Sequence, residues 1–421
     1  MKRRNIKNEE DSIKNSINKG INILNEYKQK KQAERNERIG KTFDEYNEEK
    51  KSKENVKPLI FSFMIIIIIF ALYMFMEYST VIGLNYSKKI NLEDNKKISI
   101  TNDEGVICKS YGKKLVVYYN QLVSVYSKDM KEIFNFKLPE AFTPDIYTNE
   151  NYMIVSNSAN GKIYMFENKN EILEKKIDGT IEKIYIDKTG DFALEYSTSG
   201  HKKVLGVFNK AGKNIYNAYL ENNPIIALEF ITSKKIIIAQ AMTNSLTVGI
   251  SLKQIDGNKS NENIEEILKL DNAMIYNLKV INKNILITSN EQVLKYNMDS
   301  KKTDIIRDFS KIQLNHIDVS DNYLTLVEEE IQNNTQNYSL KSLRFDGEQI
   351  GISSLEGMPK IIQNSGILTY VIYQHKIEII NKWGINVKSI NIQIPPREIL
   401  PFNNEKSLAL IYSNYVYIVN L

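Results

Sequence analysis

Between Leu59 and Met76 the chain runs for 18 residues without a charge, LIFSFMIIIIIFALYMFM. At about 1.5 Å per residue a helix of that length spans roughly 27 Å, close to the thickness of a bilayer's hydrocarbon core. A strand of that length would be far too long, and a water-soluble helix would not be apolar on every face. The pattern predicts one transmembrane helix over residues 58–78, with Lys57-Pro58 before the run and Glu77 after it. Upstream, Ile13, Ile17, Ile21 and Leu24 recur at helical spacing behind Glu9, Glu10 and Asp11, which predicts an amphipathic helix over residues 9–30. Residues 29–55 mix charges with few apolar positions, the pattern of a solvated helix or a structureless juxtamembrane segment.

Beyond the span the period changes from helical to alternating. Short β-rich runs are separated by Asn, Asp, Gly, Lys and Ser, as in VLGVFNKAGKNIYNAYL (204–220), LKSLRFDGEQIGI (340–352) and IEIINKWGINVKSINI (377–392). Each such hairpin follows two more strands at similar offsets, for example IEKIYIDKTGDFALEY (181–196) and LNHIDVSDNYLTLVEE (314–329). Four strands per repeating unit is the arithmetic of propeller blades. The units fall at 98–138, 140–178, 180–222, 224–272, 273–310, 311–356 and 358–393, and a last segment, 397–421, holds three strands. YSKKINL (86–92) supplies a fourth, so strands from both ends close the ring and hide its sheet edges. The fold class is therefore all-β, a β-propeller of eight four-stranded blades with seven as the alternative count. Its domains are a basic tail (1–57), the span (58–78), a linker (79–85) and the propeller (86–421).

Charge sets the orientation. Residues 1–57 carry 16 Lys/Arg against 11 Asp/Glu, and the remainder is neutral. Arg38, Lys41, Lys50, Lys51, Lys53 and Lys57 precede the span, whereas the matching window after it holds Lys88, Lys89 and Lys96. Positive charge stays in the cytoplasm, so the span reads as a signal anchor of a single-pass cell-membrane protein, its tail inside and its propeller extracytoplasmic. A neutral propeller has no basic face for nucleic acid. The lone cysteine, Cys108, cannot form an intramolecular disulfide and alternates with apolar neighbours as a small core residue. The tripeptides Asn85-Tyr86-Ser87 and Asn337-Tyr338-Ser339 are incidental sequons in a chain whose Ile, Lys and Asn bias is that of an AT-rich bacterial genome.

The repeat, an apolar strand, a polar turn and a strand ending in hydrophobic-Phe/Tyr-Asn or Asp, resembles the WD40, YVTN and quinoprotein-like propeller superfamily over residues 86–421. The whole architecture is similar to a family of single-pass propeller proteins of low-GC Gram-positive bacteria defined only as a domain of unknown function. That resemblance implies the fold and the anchor and no activity. The chain departs from the WD40 pattern in lacking Trp-Asp strand ends and Gly-His openings. For the quinoprotein repeat, Asp187-Lys188-Thr189-Gly190 is the nearest fragment, and the only tryptophan, Trp383, lies elsewhere.

Candidate chemistry is sparse. His201, His316 and His375 fall in different units without HxH, HExxH or CxxC spacing, so no metal site or cofactor is expected. His316, alternating with Leu314 and Asp318 near the start of a unit, is placed on a strand beside the central channel, and His201 follows Ser-Thr-Ser-Gly at a hairpin tip. Carboxylate pairs for glycoside hydrolysis would come from Glu195 with Asp191, or from the run Glu328-Glu329-Glu330, whose polar continuation to 337 reads as an exposed loop. No catalytic, cofactor-binding or metal residue is assigned. Two excursions, 253–265 and 329–338, extend beyond the common blade length and are candidate recognition loops. The expected function is a membrane-anchored interaction or scaffold module of the cell envelope. Its partners are the membrane, a protein on the propeller loops, and a cytoplasmic or membrane partner of the tail. A cell-surface lyase or glycosidase, and a ligand sensor coupled through the tail, are the alternatives.

Overall fold

A computed structural model describes residues 3–40, 61–72, 97–100, 105–139, 142–221, 223–242, 249–259, 264–332, 335–402 and 407–420. The chain divides into two compact units, Met1–Tyr78 and Ser79–Leu421. In the first, one helix runs from Arg3 to Gly40, longer at both ends than the predicted 9–30. The stretch beyond residue 30 lacks an apolar stripe but is rich in Lys, Gln, Glu, Arg and Ala, whose helix propensity sustains it. Residues 61–72, the described part of the predicted span, are helical, and every one of them is exposed, from Phe61 (65 %) to Leu72 (56 %). Among the described residues no helix is long and apolar enough to cross a membrane. The rest of the predicted span and the linker 79–85 lie outside the described residues.

The second unit is a ring of eight four-stranded antiparallel sheets, which settles the count at eight. The first strand of each blade lies against the first strands of its neighbours and so lines the channel. In chain order these inner strands are Ile107–Tyr111, Pro144–Thr148, Thr180–Ile186, Ile225–Thr232, Ile275–Ile281, Gln313–Val319, Ile361–Ser365 and Glu398–Pro401. The eighth blade is closed by a strand from the other end of the ring, as the hydrophobic pattern predicts. The closing strand is Lys97–Ser99, however, paired to Tyr415–Tyr417, and not 86–92, which lies outside the described residues. Lys97–Ser99 belongs to the eighth blade, and the first blade starts at Ile107 instead of 98. The pairing continues into Ile100, whose N–H donates to Asn414 O at 2.8 Å and whose side chain is buried.

Burial on both faces of each blade explains the sequence pattern. Side chains alternate along a strand, so one residue enters the seam on the left and the next the seam on the right. In the second blade, Met153 and Val155 pack toward the first, while Tyr152 and Ile154 pack toward the third. The whole strand Tyr152–Asn157 is consequently buried and reads as a near-continuous apolar run. The same division fills every seam among the described residues. Ala193 and Leu205 meet Ile225 and Leu228 between blades three and four, and Leu286 meets Leu324 and Leu326 between five and six. Close approach sets some turns. Gly190 (φ 92°) ends the Asp187–Gly190 turn against the Tyr152 ring, where a Cβ would sit 2.7 Å from a ring carbon.

The closing seam joins the two ends of the ring through Phe402, Ala409, Ile411 and Val416 on one side and Cys108, Leu115 and Val117 on the other. Phe402 is 0 % exposed. Replacing it with Ala removes most of a large buried ring and leaves a cavity at the seam, which costs about 3–5 kcal/mol. Denaturant unfolding of Phe402→Ala should show a loss of that size; a change under about 1 kcal/mol would mean the seam repacks without it.

Candidate functional site

The channel wall is built from the inner strands, and a polar contact crosses each of its eight seams. From blade eight to one, Ser110 Oγ donates to Pro401 O at 3.2 Å, and from one to two, Thr148 Oγ1 donates to Ser110 O at 2.7 Å. The Tyr147 hydroxyl is hydrogen-bonded to the backbone of Ile184, and Lys183 Nζ donates to Ile226 O at 3.5 Å. The Val280 N–H binds the Glu229 carboxylate, and Lys279 Nζ donates to Ser320 O at 2.9 Å and to Asp321 Oδ1 at 2.7 Å. The Asn364 N–H donates to Asp318 Oδ2 at 2.5 Å, and Ser365 Oγ donates to Phe402 O at 3.4 Å. Titratable groups on the wall thus serve as rivets for neighbouring backbone. Burial raises the pKa of Asp145, Glu229 and Asp318 above the ordinary carboxylate values, and at Glu229 and Asp318 it outweighs the nearby Lys279 charge.

At one end of the channel four consecutive blades share an irregularity. The inner strands of blades three to six each carry a β-bulge near their start, between Ile181 and Lys183, Ile225 and Ala227, Ile275 and Asn277, and Leu314 and His316. The extra residue in each case, Glu182, Ile226, Tyr276 or Asn315, has no cross-strand partner and is re-aimed out of the ladder. In the outer two blades of this arc the extra residue is braced by charge. Glu182 Oε2 accepts from Lys203 Nζ at 2.9 Å, and Asn315 Nδ2 donates to Glu329 Oε2 at 3.2 Å. In the middle two it is apolar and exposed, Ile226 at 39 % and Tyr276 at 52 %.

The starts of inner strands, the linkers between blades and the turns between second and third strands all lie at this end of the ring, by the up-and-down order of each sheet. Met274, Met358 and Ile394 stand exposed in those linkers, and Ile331 stands exposed at the blade-six hairpin. The linkers ahead of blades four and five are tied down. The Met274 N–H donates to Asn290 Oδ1 at 2.7 Å, and Gln240 Nε2 donates to Asn223 O at 2.8 Å just ahead of Ile225. This mouth therefore presents apolar side chains on a rigid frame, the arrangement that binds protein surfaces.

The residues singled out from sequence are placed as follows. Cys108 is buried in the closing seam, where burial pushes its thiol up to about 12 and makes it unreactive. His201 opens a strand at an exposed hairpin end, its ring 4.4 Å from that of Tyr219. His316 follows the blade-six bulge and its Nε2 is 3.0 Å from Pro359 O; His375 lies 3.3 Å, through Nδ1, from Gln393 O. The three histidines are not brought together, and no group of three His, Cys, Asp or Glu side chains among the described residues could hold a metal. Glu195 and Asp191 are also kept apart. Glu195 is buried against Lys203, whereas Asp191 Oδ1 accepts the Lys210 N–H at 3.1 Å. Burial opposes the Lys203 charge, but the hydrogen bonds that Lys203 donates to Glu195 and Glu182 outweigh it and hold its pKa above 10.5.

One expectation is corrected. Residues 328–337 are not an exposed loop: the second strand of blade six continues to Gln332 and pairs with Thr335–Leu343 as one long hairpin. Glu328 is 1 % exposed, with Arg307 Nη2 at 2.7 Å from one carboxylate oxygen and Lys341 Nζ at 2.7 Å from the other. Polarity suggested solvent, but two cations from neighbouring strands neutralise the charge inside the sheet. The excursions 253–265 and 329–338 do not share a face. The first joins the third and fourth strands of blade four and the second joins the second and third strands of blade six, at opposite ends of the ring; residues 260–263 lie outside the described set. The bulged residues were missed in the sequence. Their trace there is a pair of adjacent apolar positions, Ile225-Ile226 and Ile275-Tyr276, where alternation calls for one.

Glu229 provides a test of the wall. Its folded pKa lies above 4.5, so the ionised form is penalised in the ring, and the penalty is present at neutral pH and fades as pH falls through the folded pKa toward 4.5. Gln keeps an oxygen for the Val280 N–H and carries no charge. Glu229→Gln should melt at a higher temperature than the parent at pH 7, with the gap closing by pH 4.5. A gap independent of pH would show that the carboxylate carries no such penalty.

Solved structures of similar shape are WD40-type and related propellers at low identity. The Neurospora crassa Pan2 WD40 domain is 12 % identical, with 77 % of this chain and 90 % of that one covered at a TM-score of 0.39. Kluyveromyces lactis Hsv2p is 9 % identical, with 66 % and 97 % covered at 0.44. A comparison with curated proteins finds no significant match. Residues 85–421 match the model of one family, so the chain belongs to the family of unknown function DUF5711.

Proposed function

We propose that this protein is a membrane-anchored extracytoplasmic propeller that docks a protein partner on the mouth of its channel. The observation that carries the reading is the run of four bulged inner strands, which sets Ile226 and Tyr276 outward beside Met274. Exposed apolar side chains on fixed backbone act as anchors for a partner, since little ordering entropy is lost on binding. The buried carboxylates Glu195 and Glu328 are each ion-paired, to Lys203 and to Arg307 with Lys341, which favours a binding role over acid–base chemistry. Anchoring is supported by the helix at residues 61–72, whose apolar side chains are exposed on all sides, within an uncharged run from Leu59 to Met76. Six cations ahead of that run, against three after it, favour a cytoplasmic tail.

The test uses intact cells making the full chain. External protease should remove the propeller and spare the tail; a protected propeller would overturn the topology. Cross-linking should then capture a protein adduct on the parent. Ile226→Asp with Tyr276→Asp, both exposed and so compatible with folding, should lower that adduct about tenfold or more at unchanged melting temperature. An adduct that survives both substitutions would place docking elsewhere.

A further inference from the structure

The helix Arg3–Gly40 has an apolar stripe with a distinct electrical character. Ile17, Ile21 and Leu24 are 55 %, 50 % and 57 % exposed, and Tyr27, at the stripe's edge, is 61 % exposed with Lys31 Nζ 5.6 Å from its ring centroid. At about 100° per residue, Lys14, Lys28, Lys31 and Arg35 all fall within about 60° of the stripe's axis through Ile17. The two acids of residues 14–35, Glu26 and Glu34, fall roughly 180° and 100° away from it. Between residues 14 and 35 the stripe face therefore carries cations alone, with Glu10, nearer the helix start, about 20° from the same axis; Asn15, Asn18 and Asn22 lie off the stripe, as does Ile23.

We propose that this helix lies on an anionic lipid surface, its isoleucines and leucine in the headgroup layer and its flanking cations on lipid phosphates. Charge selects this occupant over a second copy of the chain. Two such helices packed stripe to stripe in parallel would place Lys28, Lys31 and Arg35 against their own counterparts, and an antiparallel pair would set Lys14 beside Lys28. An anionic bilayer instead attracts every one of these groups while accepting the apolar stripe. The inference rests on the membrane reading of residues 61–72 for its setting: the helix ends at Gly40, near enough along the chain to lie on the same bilayer. The helix would then fix the tail flat on the cytoplasmic leaflet and release it when the leaflet's negative charge falls.

The experiment places the full chain in vesicles and reads nitroxide labels on Ile17→Cys or Ile21→Cys against Asn15→Cys or Asn22→Cys. Native Cys108, 3 % exposed, stays unlabelled. In equal parts phosphatidylcholine and phosphatidylglycerol, the ratio of oxygen to nickel-complex accessibility at 17 and 21 should exceed that at 15 and 22 at least about threefold. The difference should vanish in phosphatidylcholine alone, and Lys28→Gln with Lys31→Gln should weaken it in the mixed vesicles. Equal accessibility on both faces in mixed vesicles, immersion that persists undiminished without anionic lipid, or dipolar broadening between labels at 17 that reports a second copy would each overturn the proposal. Carbonate extraction of the same vesicles separates the two readings. A chain retained in the bilayer with its tail labels in water refutes the helix alone, whereas a chain extracted whole refutes the span beneath it.

Discussion

The middle strands of every blade have no solvent face, and both of their faces must find a neighbour. Alternation along a strand turns that need into a rule. Successive side chains serve opposite seams, so each blade is half of two hydrophobic cores and cannot be completed alone. Met153 and Tyr152, adjacent in sequence, belong to different cores. The requirement propagates around the ring until the eighth blade meets the first, where Phe402 and Val416 pack on Cys108 and Leu115. Closure uses a strand from the far end of the propeller, Lys97–Ser99, because the eighth blade's own segment supplies three strands and would leave Tyr415–Asn420 with a bare edge.

Inner strands face a second constraint. Their outward edges line a channel and their side chains straddle seams, so polar groups there are drawn into holding the next blade's backbone. The contacts from Ser110, Thr148, Lys279 and Asp318 are of this kind. Using carboxylates for the purpose buries charge, and burial raises the pKa of Glu229 and Asp318 accordingly. The same strands are bulged at one end in blades three to six. A bulge frees a backbone carbonyl as well as a side chain, and at Ile226 the freed carbonyl is taken up by Lys183. The mouth's exposed residues therefore stand on backbone that is itself tied down.

Much of the architecture was legible in the chain. The four-strand period, the eight units and closure from both ends follow from alternation and turn spacing, since burial on both faces leaves unbroken apolar runs such as Ile236–Ala239. The candidate site was far less legible. Glu328 and Glu329 look like solvent-facing residues in any local window, because the cations of Glu328, Arg307 and Lys341, and the Asn315 amide on Glu329 come from other strands that only folding brings near. The long excursions at 253–265 and 329–338 look equivalent in sequence, yet an odd number of strand reversals sends them to opposite ends of the ring. Two of the bulges leave only a doubled apolar position, Ile225-Ile226 and Ile275-Tyr276, and those at Glu182 and Asn315 leave none.

The sequence by itself determined the periods of this protein: a helical tail, an uncharged run at 59–76, and eight sets of alternating strands. These are local properties, set by whether side chains fall on one face every two residues or every three to four. Tertiary structure decided everything that depends on which residues become neighbours across the ring. It chose Lys97–Ser99 as the closing strand, neutralised Glu328 inside a sheet, and gathered Ile226, Met274 and Tyr276 at one mouth. The physical reason is that these groupings join residues far apart in sequence, and their energies depend on burial and charge pairing that exist only once the seams have closed.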